Sequence, residues 1–224
     1  MGNVPANAPA RALTPSSLSR GLSRLAAVDP DLARVLEEHG RPPLWERDEG
    51  FSTLVLIMLE QQVSLASARA AYDRLLALAS PLTPESFLTL DAAALKRAGF
   101  SRQKIAYVRH LAQLITAGEL NLPSLATMDD DEARAQLIRV KGIGPWTAEI
   151  YLLRALLRRD AWPAGDLALA IAAREVKGLP SRPTPDELEE LAQTWKPWRA
   201  VAARLLWLHY LQRLTRARAR AEIP

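Results

Sequence analysis

The densest chemistry in this chain lies in Leu137-Ile138-Arg139-Val140-Lys141-Gly142-Ile143-Gly144-Pro145-Trp146-Thr147-Ala148-Glu149. Two glycines flank one isoleucine where one helical pattern ends and the next begins. With no Cβ in the way, the backbone there can turn tightly and present successive N–H groups. Together with the positive end of the following helix, those groups make a site for one phosphate. Ile143 is expected to point back between the two helices and hold the turn rigid. A plain tight helix–helix turn is the competing reading, weakened by the flanking Val-Lys and Pro-Trp-Thr-Ala. Further on, Asp166 begins a helix in the pattern Trp162-Pro163-Ala164-Gly165-Asp166-Leu167-Ala168-Leu169. On residue type alone Asp166 is an N-cap, its carboxylate held in place by backbone N–H groups. Arg102, Lys104 and Lys141 sit at helix starts and are placed for phosphates. Arg213, Arg216, Arg218 and Arg220 crowd the end of the chain, either to follow a polyanion or as a solvated basic terminus.

Other chemistries are absent. There is no cysteine, which excludes disulfides, thiolate zinc sites, thiol nucleophiles and cysteine-held iron–sulfur clusters. The histidines are His39, His110 and His209, too scattered to suggest a transition-metal centre. Formal charge is +4 and the isoelectric point near 9.7, a mild basic bias compatible with a polyanionic partner. Of the 29 cations only five are lysine, so arginine dominates. Arginine is the better phosphate clamp, although a GC-rich genome yields the same bias.

These residues need elements to position them, and the periodicity is helical nearly everywhere. Asp29-Pro30 announces a helix over Asp31 to His39. A long apolar helix is expected from Phe51 to Ala79, broken by Ser80-Pro81. Short helices follow at Thr83-Pro84-Glu85 and after Asp91, the latter stopping at Gly99. Ser101 caps a helix to about Ala117, with Ile105, Val108, Leu111, Leu114 and Ile115 on one face. Further helices are expected over Asp129–Arg139, Trp146–Arg158, Asp166–Val176 and Thr184–Thr194, and from Trp198 to about Arg216. Period-two runs of β-branched and aromatic residues are missing. The expected fold is all-α, with around ten helices. At 224 residues such a chain can bury roughly 70% of its unfolded surface without staples. The first residues, 1–17, read as a flexible tail with no signal or anchor. The apolar run Leu54–Leu59 is far too short to span a bilayer, so no membrane partner is expected; the expected setting is the bacterial cytoplasm.

Val140-Lys141-Gly142-Ile143-Gly144 resembles the helix–hairpin–helix of the base-excision DNA glycosylases. The later loop and Asp166 fall where that superfamily places its aspartate. Glu60-Gln61-Gln62-Val63-Ser64, Gly99-Phe100-Ser101-Arg102-Gln103-Lys104 and Trp195-Lys196-Pro197-Trp198-Arg199 are similar to motifs of its 3-methyladenine DNA glycosylase II branch, the AlkA-like enzymes. In order, these motifs run from Phe51 to Trp207. The resemblance implies two helical subdomains flanking an active-site cleft, 51–155 and 18–50 plus 156–224. The N-terminal β-domain of larger relatives has no room here. Gly165 departs from the pattern, standing where many relatives carry a first aspartate.

The resemblance also assigns roles. Asp166 would be catalytic, stabilising positive charge on the deoxyribose and helping water attack. Gly142, Ile143, Gly144, Lys141, Arg102, Lys104 and Thr147 would contact duplex DNA. Gln62 would fill the gap left by a flipped base, a capping or buried amide being the alternative. Trp146 and Trp207 would line the base pocket, with Trp162 and Trp198 as additions, although core packing suits any single tryptophan. Main-chain carbonyls of Ile138, Val140 and Ile143 would hold a monovalent cation, sodium or potassium, no other cofactor being required. Relatives that also nick the strand carry a lysine where Trp146 stands. The expected function is therefore hydrolytic excision of alkylated bases (3-methyladenine, 7-methylguanine and related) from duplex DNA by a monomer. The alternatives are a non-catalytic DNA-binding module for distorted DNA, or a glycosylase for other lesions.

Overall fold

The computed structural model describes residues 12–221, with side chains to residue 217. Twelve α-helices follow one another among these residues: α1 Pro15–Val28, α2 Pro30–His39, α3 Phe51–Glu60, α4 Leu65–Leu78, α5 Pro84–Leu88 and α6 Ala92–Arg97, then α7 Arg102–Thr116, α8 Asp130–Ile138, α9 Pro145–Arg154, α10 Leu167–Val176, α11 Pro185–Ala192 and α12 Arg199–Ala221. Short 3-10 turns add Pro123–Ala126 and Gln193–Trp195. The only extended pairing among the described residues is an isolated bridge between Ala12 and Arg158. The all-α expectation holds.

The starts follow from capping chemistry. Asp29, Ser64, Asp91, Ser101, Asp129, Asp166 and Thr184 each accept a backbone N–H of the turn they open, satisfying a donor that would otherwise lack a partner. The tail reading of residues 1–17 fails in its last part. Thr14 and Ser17 form a capping box that opens α1 at Pro15, and Leu13 is buried. Residues 1–11 lie outside the described residues. The single helix expected over Phe51–Ala79 is two helices. Gln61 is extended, Gln62 turns into the left-handed region at φ +57, and Ser64 caps a new start. The helix expected to reach Arg158 stops at Arg154 with Ala155 as its C-cap, and Leu157 beyond it is left-handed at φ +52.

The chain divides into two compact units, one covering Arg47–Leu156 and the other joining Arg11–Glu46 to Leu157–Pro224. In the first, α3 is mostly apolar and central, contacting α4, α7 and α9. Leu54, Val55, Ile57 and Met58 are fully enclosed there. Such a helix is held by packing rather than by amphipathicity. Tyr151 of α9 joins the same core, and its hydroxyl accepts the Gly50 N–H at 2.9 Å. Burial pushes that phenol up to about 12.

In the second unit α2 and α12 pack together, as do α10 and α12. Here Asp29 does more than cap α2. Its carboxylate accepts from Lys177 Nζ at 2.6 and 2.7 Å and from Trp195 Nε1 at 2.7 Å. Burial by itself would raise this carboxyl, but the hydrogen bonds from Lys177 and Trp195 outweigh it and hold it below the ordinary value. Gly21 lets α1 approach α12 closely, since a Cβ there would come within 2.7 Å of the Trp198 ring.

Candidate functional site

The first unit carries the turn between α8 and α9. Gly142 sits at φ +95, and a Cβ there would strike Tyr107 at 2.4 Å, so both backbone angle and packing demand glycine. Gly144 differs. Its backbone is ordinary, a Cβ would meet nothing within 4 Å, and it is exposed at the N-cap of α9. No side-chain cap covers that helix start. Among the described residues nothing crowds the second glycine, which leaves open surface beside a helix N-terminus.

The turn is clamped from behind by a residue to which sequence reasoning assigned no role. Gln61 Nε2 donates to the Gly142 carbonyl at 2.9 Å and to Thr147 Oγ1 at 2.8 Å. In Gln61-Gln62 it is the second glutamine that matches the motif position. Only the extended and left-handed backbone pair sends Gln61 inward and Gln62 outward. Gln62 is exposed, and Ser64 rather than Gln62 caps α4. The buried-amide and capping alternatives for Gln62 therefore fall away.

Three expected DNA contacts are corrected. Thr147 is buried and its hydroxyl serves Gln61, so the side chain is part of the clamp. Ile143 is buried and its N–H is spent on the Val140 carbonyl at 2.9 Å. It does plug the space between the helices, as expected, but offers neither side chain nor N–H to a partner. Lys104 donates from Nζ to the carbonyls of Leu59 at 2.6 Å and Gln61 at 3.0 Å. It supplies positive charge to the C-terminal end of α3, where free carbonyls gather, and burial lowers its pKa. Lys141 and Arg102 remain exposed. Trp146 is half-buried in the first turn of α9.

The second unit carries the acid. Asp166 Oδ1 accepts the Leu169 N–H at 2.9 Å and the Trp207 indole N–H at 3.1 Å. Cap and site are thus one arrangement: the backbone of α10 holds the carboxylate from one side and α12 from another. Trp207 in turn meets Trp45 edge-on, with ring centroids 6.4 Å apart. Trp45 was absent from the expected pocket, since it lies in no recognised motif. Trp162 is corrected to core, buried and edge-on to Trp195 at 5.5 Å. Trp198 packs beneath Gly21 with Arg159 over its ring at 5.5 Å. At Gly165 an added Cβ would meet nothing, so an acidic residue would fit there.

The basic end is less open than its composition suggested. Arg213 pairs with Glu175 at 2.6 Å and Arg216 with Glu38 at 2.7 Å. The side chains of Arg218 and Arg220 lie outside the described residues. Among the described residues no helix is long and apolar enough to cross a membrane.

A helix–turn–helix with an uncovered glycine is followed downstream by a helix-capping aspartate tied to a tryptophan. The family model of the HhH-GPD superfamily of base excision DNA repair proteins matches residues 55–198. The chain belongs to this superfamily. DNA-3-methyladenine glycosylase 1 of Schizosaccharomyces pombe is 28% identical over 199 residues, covering 86% of this chain and 87% of the relative. The solved structure of the 3-methyladenine DNA glycosylase Mag1 from the same yeast, in complex with abasic DNA, superposes with a TM-score of 0.79 at 27% identity, over 84% of this chain and 95% of that one. A DNA-3-methyladenine glycosidase from Bacillus halodurans gives a TM-score of 0.72 at 29% identity, over 85% and 88%. The chain spans a smaller share, 64% and 35%, of two Bacillus subtilis relatives that are 27% and 35% identical over 79% and 47% of this chain.

Proposed function

We propose that this HhH-GPD protein is a monofunctional DNA glycosylase that releases alkylated bases from duplex DNA by hydrolysis. The observation that carries the reading is Asp166, fixed at the head of α10 by the Leu169 N–H and the Trp207 indole. Breaking an N-glycosidic bond builds positive charge on the sugar, and a carboxylate already held in place stabilises that charge without reorganising. Bases methylated at N3 or N7 of a purine are cationic and leave readily. Tryptophan faces favour such bases by about 0.5–2 kcal/mol, and Trp146 and Trp207 are the candidates to supply them.

The hairpin provides the backbone anchor. The N-terminus of α9 at Gly144 receives a phosphate, with Lys141 alongside and Arg102 on a second one. Gln62 fills the gap left by the flipped base. Carbonyls of Ile138, Val140 and Ile143 follow the C-terminal end of α8, the negative end of its dipole. Neutral hard oxygens there suit sodium or potassium, and Val140 keeps a lone pair beyond the one given to Ile143. When bound, the ion adds positive charge beside the phosphate. Trp146, standing where strand-nicking relatives carry a lysine, supports hydrolysis without a lyase step. The enzyme acts as a monomer on bacterial DNA in the cytoplasm.

The test is release of bases from methylated duplex DNA, with freed bases separated by chromatography. Wild type is expected to free 3-methyladenine or 7-methylguanine, and Asp166→Asn to lose release by at least about a hundredfold while binding duplex within about threefold of wild type. A wild-type protein that binds DNA and frees no alkylated base overturns the reading.

A further inference from the structure

Between α2 and the end of its segment runs Arg41-Pro42-Pro43-Leu44-Trp45-Glu46, without regular structure. Its tryptophan is nevertheless held in the left-handed region, at φ +48. For so bulky a residue that conformation is an outlier, and surrounding structure must impose it. Two constraints do so. Successive prolines restrict the chain entering Leu44. Arg204, fully buried on α12, then donates from Nε to the Leu44 carbonyl at 2.9 Å and from Nη1 to the Ala200 carbonyl at 2.9 Å. The guanidinium thereby ties α12 to the peptide immediately before Trp45.

The consequence falls on Trp207, one turn along the same helix. Its ring meets Trp45 with planes at 74° and centroids 6.4 Å apart, an edge-to-face pair. Its indole N–H points to Asp166 Oδ1 at 3.1 Å. Rotation of an indole about its second side-chain torsion is soft. One hydrogen bond leaves much of that freedom, and packing against a second ring removes it.

We infer that Trp45 is a positioning residue for the Asp166 site, acting through Trp207 to hold the indole N–H on the carboxylate and to set which indole face a base can meet. On its substrate side the inference rests on the proposed function. An indole that gives its N–H to a carboxylate carries more electron density on its ring, so the face Trp45 orients favours a cationic purine over a neutral adduct.

Trp45→Gly deletes the ring at a backbone angle glycine adopts without strain. Trp45→Phe keeps an aromatic ring. Two measurements decide. In DNA-free protein, the ¹⁵N-indole resonance of Trp207, assigned with Trp207→Phe, reports the bond to Asp166. Single-turnover release of 7-methylguanine (cationic) and of ethenoadenine (neutral) from matched duplexes reports selectivity. Trp45→Gly is expected to move the resonance and to lower the cationic-to-neutral rate ratio about fivefold, with Trp45→Phe within twofold of wild type. A folded Trp45→Gly with an unmoved resonance and an unchanged ratio overturns the inference, because a merely structural Trp45 would alter melting temperature alone. Should the glycine variant not fold, Trp45→Leu is read by the same two criteria. If wild type releases no base, the proposed function fails, and the resonance alone decides the role of Trp45.

Discussion

The hairpin of the first unit and the Asp166 cluster of the second place polar groups in opposite ways. At the hairpin the groups on offer are main-chain, and side chains do the holding: Tyr107 packs against Gly142 while Gln61 grips its carbonyl and Thr147. At Asp166 the group on offer is a side chain, held partly by main chain and partly by Trp207. The first plan needs a residue to be missing. The second needs particular residues, drawn from distant parts of the sequence, to be present. Loss of a supporting contact should therefore cost folding at the hairpin and chemistry at the acid.

The Asp166→Asn result is the largest effect that can break this contrast. If that variant loses stability rather than base release, the carboxylate is a cap and no more. Next in size is a test within the second unit, away from the site. Asp29 is buried against Lys177, and Asp29→Ala leaves that ammonium without its main partner, at a cost of about 3–5 kcal/mol. Thermal unfolding should show the loss.

The pH profile follows from the same groups. The Lys177 hydrogen bond lowers the Asp31 carboxyl, and bonds from Lys177 and Trp195 lower Asp29 against the opposing effect of burial. The folded state therefore binds fewer acid protons than the unfolded state, and stability rises with pH through this range. The contribution is complete above the ordinary carboxyl value of 3.8 and is lost as pH falls through the lowered ones. Burial also lowers His39, so stability begins to fall once pH drops below the ordinary histidine value of 6.5. Melting temperature should decline in both ranges, and Asp29→Asn should flatten the lower one.

The two hairpin glycines sharpen the comparison further. Gly142→Ala must fit a Cβ against Tyr107 at a positive φ, and is expected to destabilise by about 1–3 kcal/mol. Gly144→Ala meets no neighbour, so its melting temperature should match wild type while duplex affinity falls. Equal behaviour of the two variants would remove the evidence that Gly144 faces a partner. The smallest effect separates the lysines. Lys141→Ala should reduce the salt dependence of duplex binding by about one phosphate, whereas Lys104→Ala should leave that slope unchanged and lower stability.

Much of this was legible in advance because it is local. The caps at Asp29, Asp91, Ser101 and Thr184 lie within a turn of the donors they satisfy, and so does the cap function of Asp166. The break at Gln61-Gln62 was not legible, because every residue around it is compatible with a continuous helix. Helix α1 was hidden by its neighbours in sequence, the Pro- and Ala-rich residues before Thr14. Lys104 is ambiguous in the sequence for a similar reason. A lysine at a helix start resembles a phosphate ligand until the carbonyls at the end of another helix are known to lie beneath it.

The sequence by itself determined the all-α architecture, the hairpin and the aspartate that heads α10, since periodicity, capping and glycine placement act over a few residues. Tertiary structure alone decided that Gln61 grips the hairpin and that the Thr147 hydroxyl is spent on that grip. It also decided that Trp162 is core and that Trp45 joins Trp207 beside Asp166. Those outcomes depend on which side chains from distant segments share one space, and close packing, unlike helical periodicity, leaves no regular spacing in the chain.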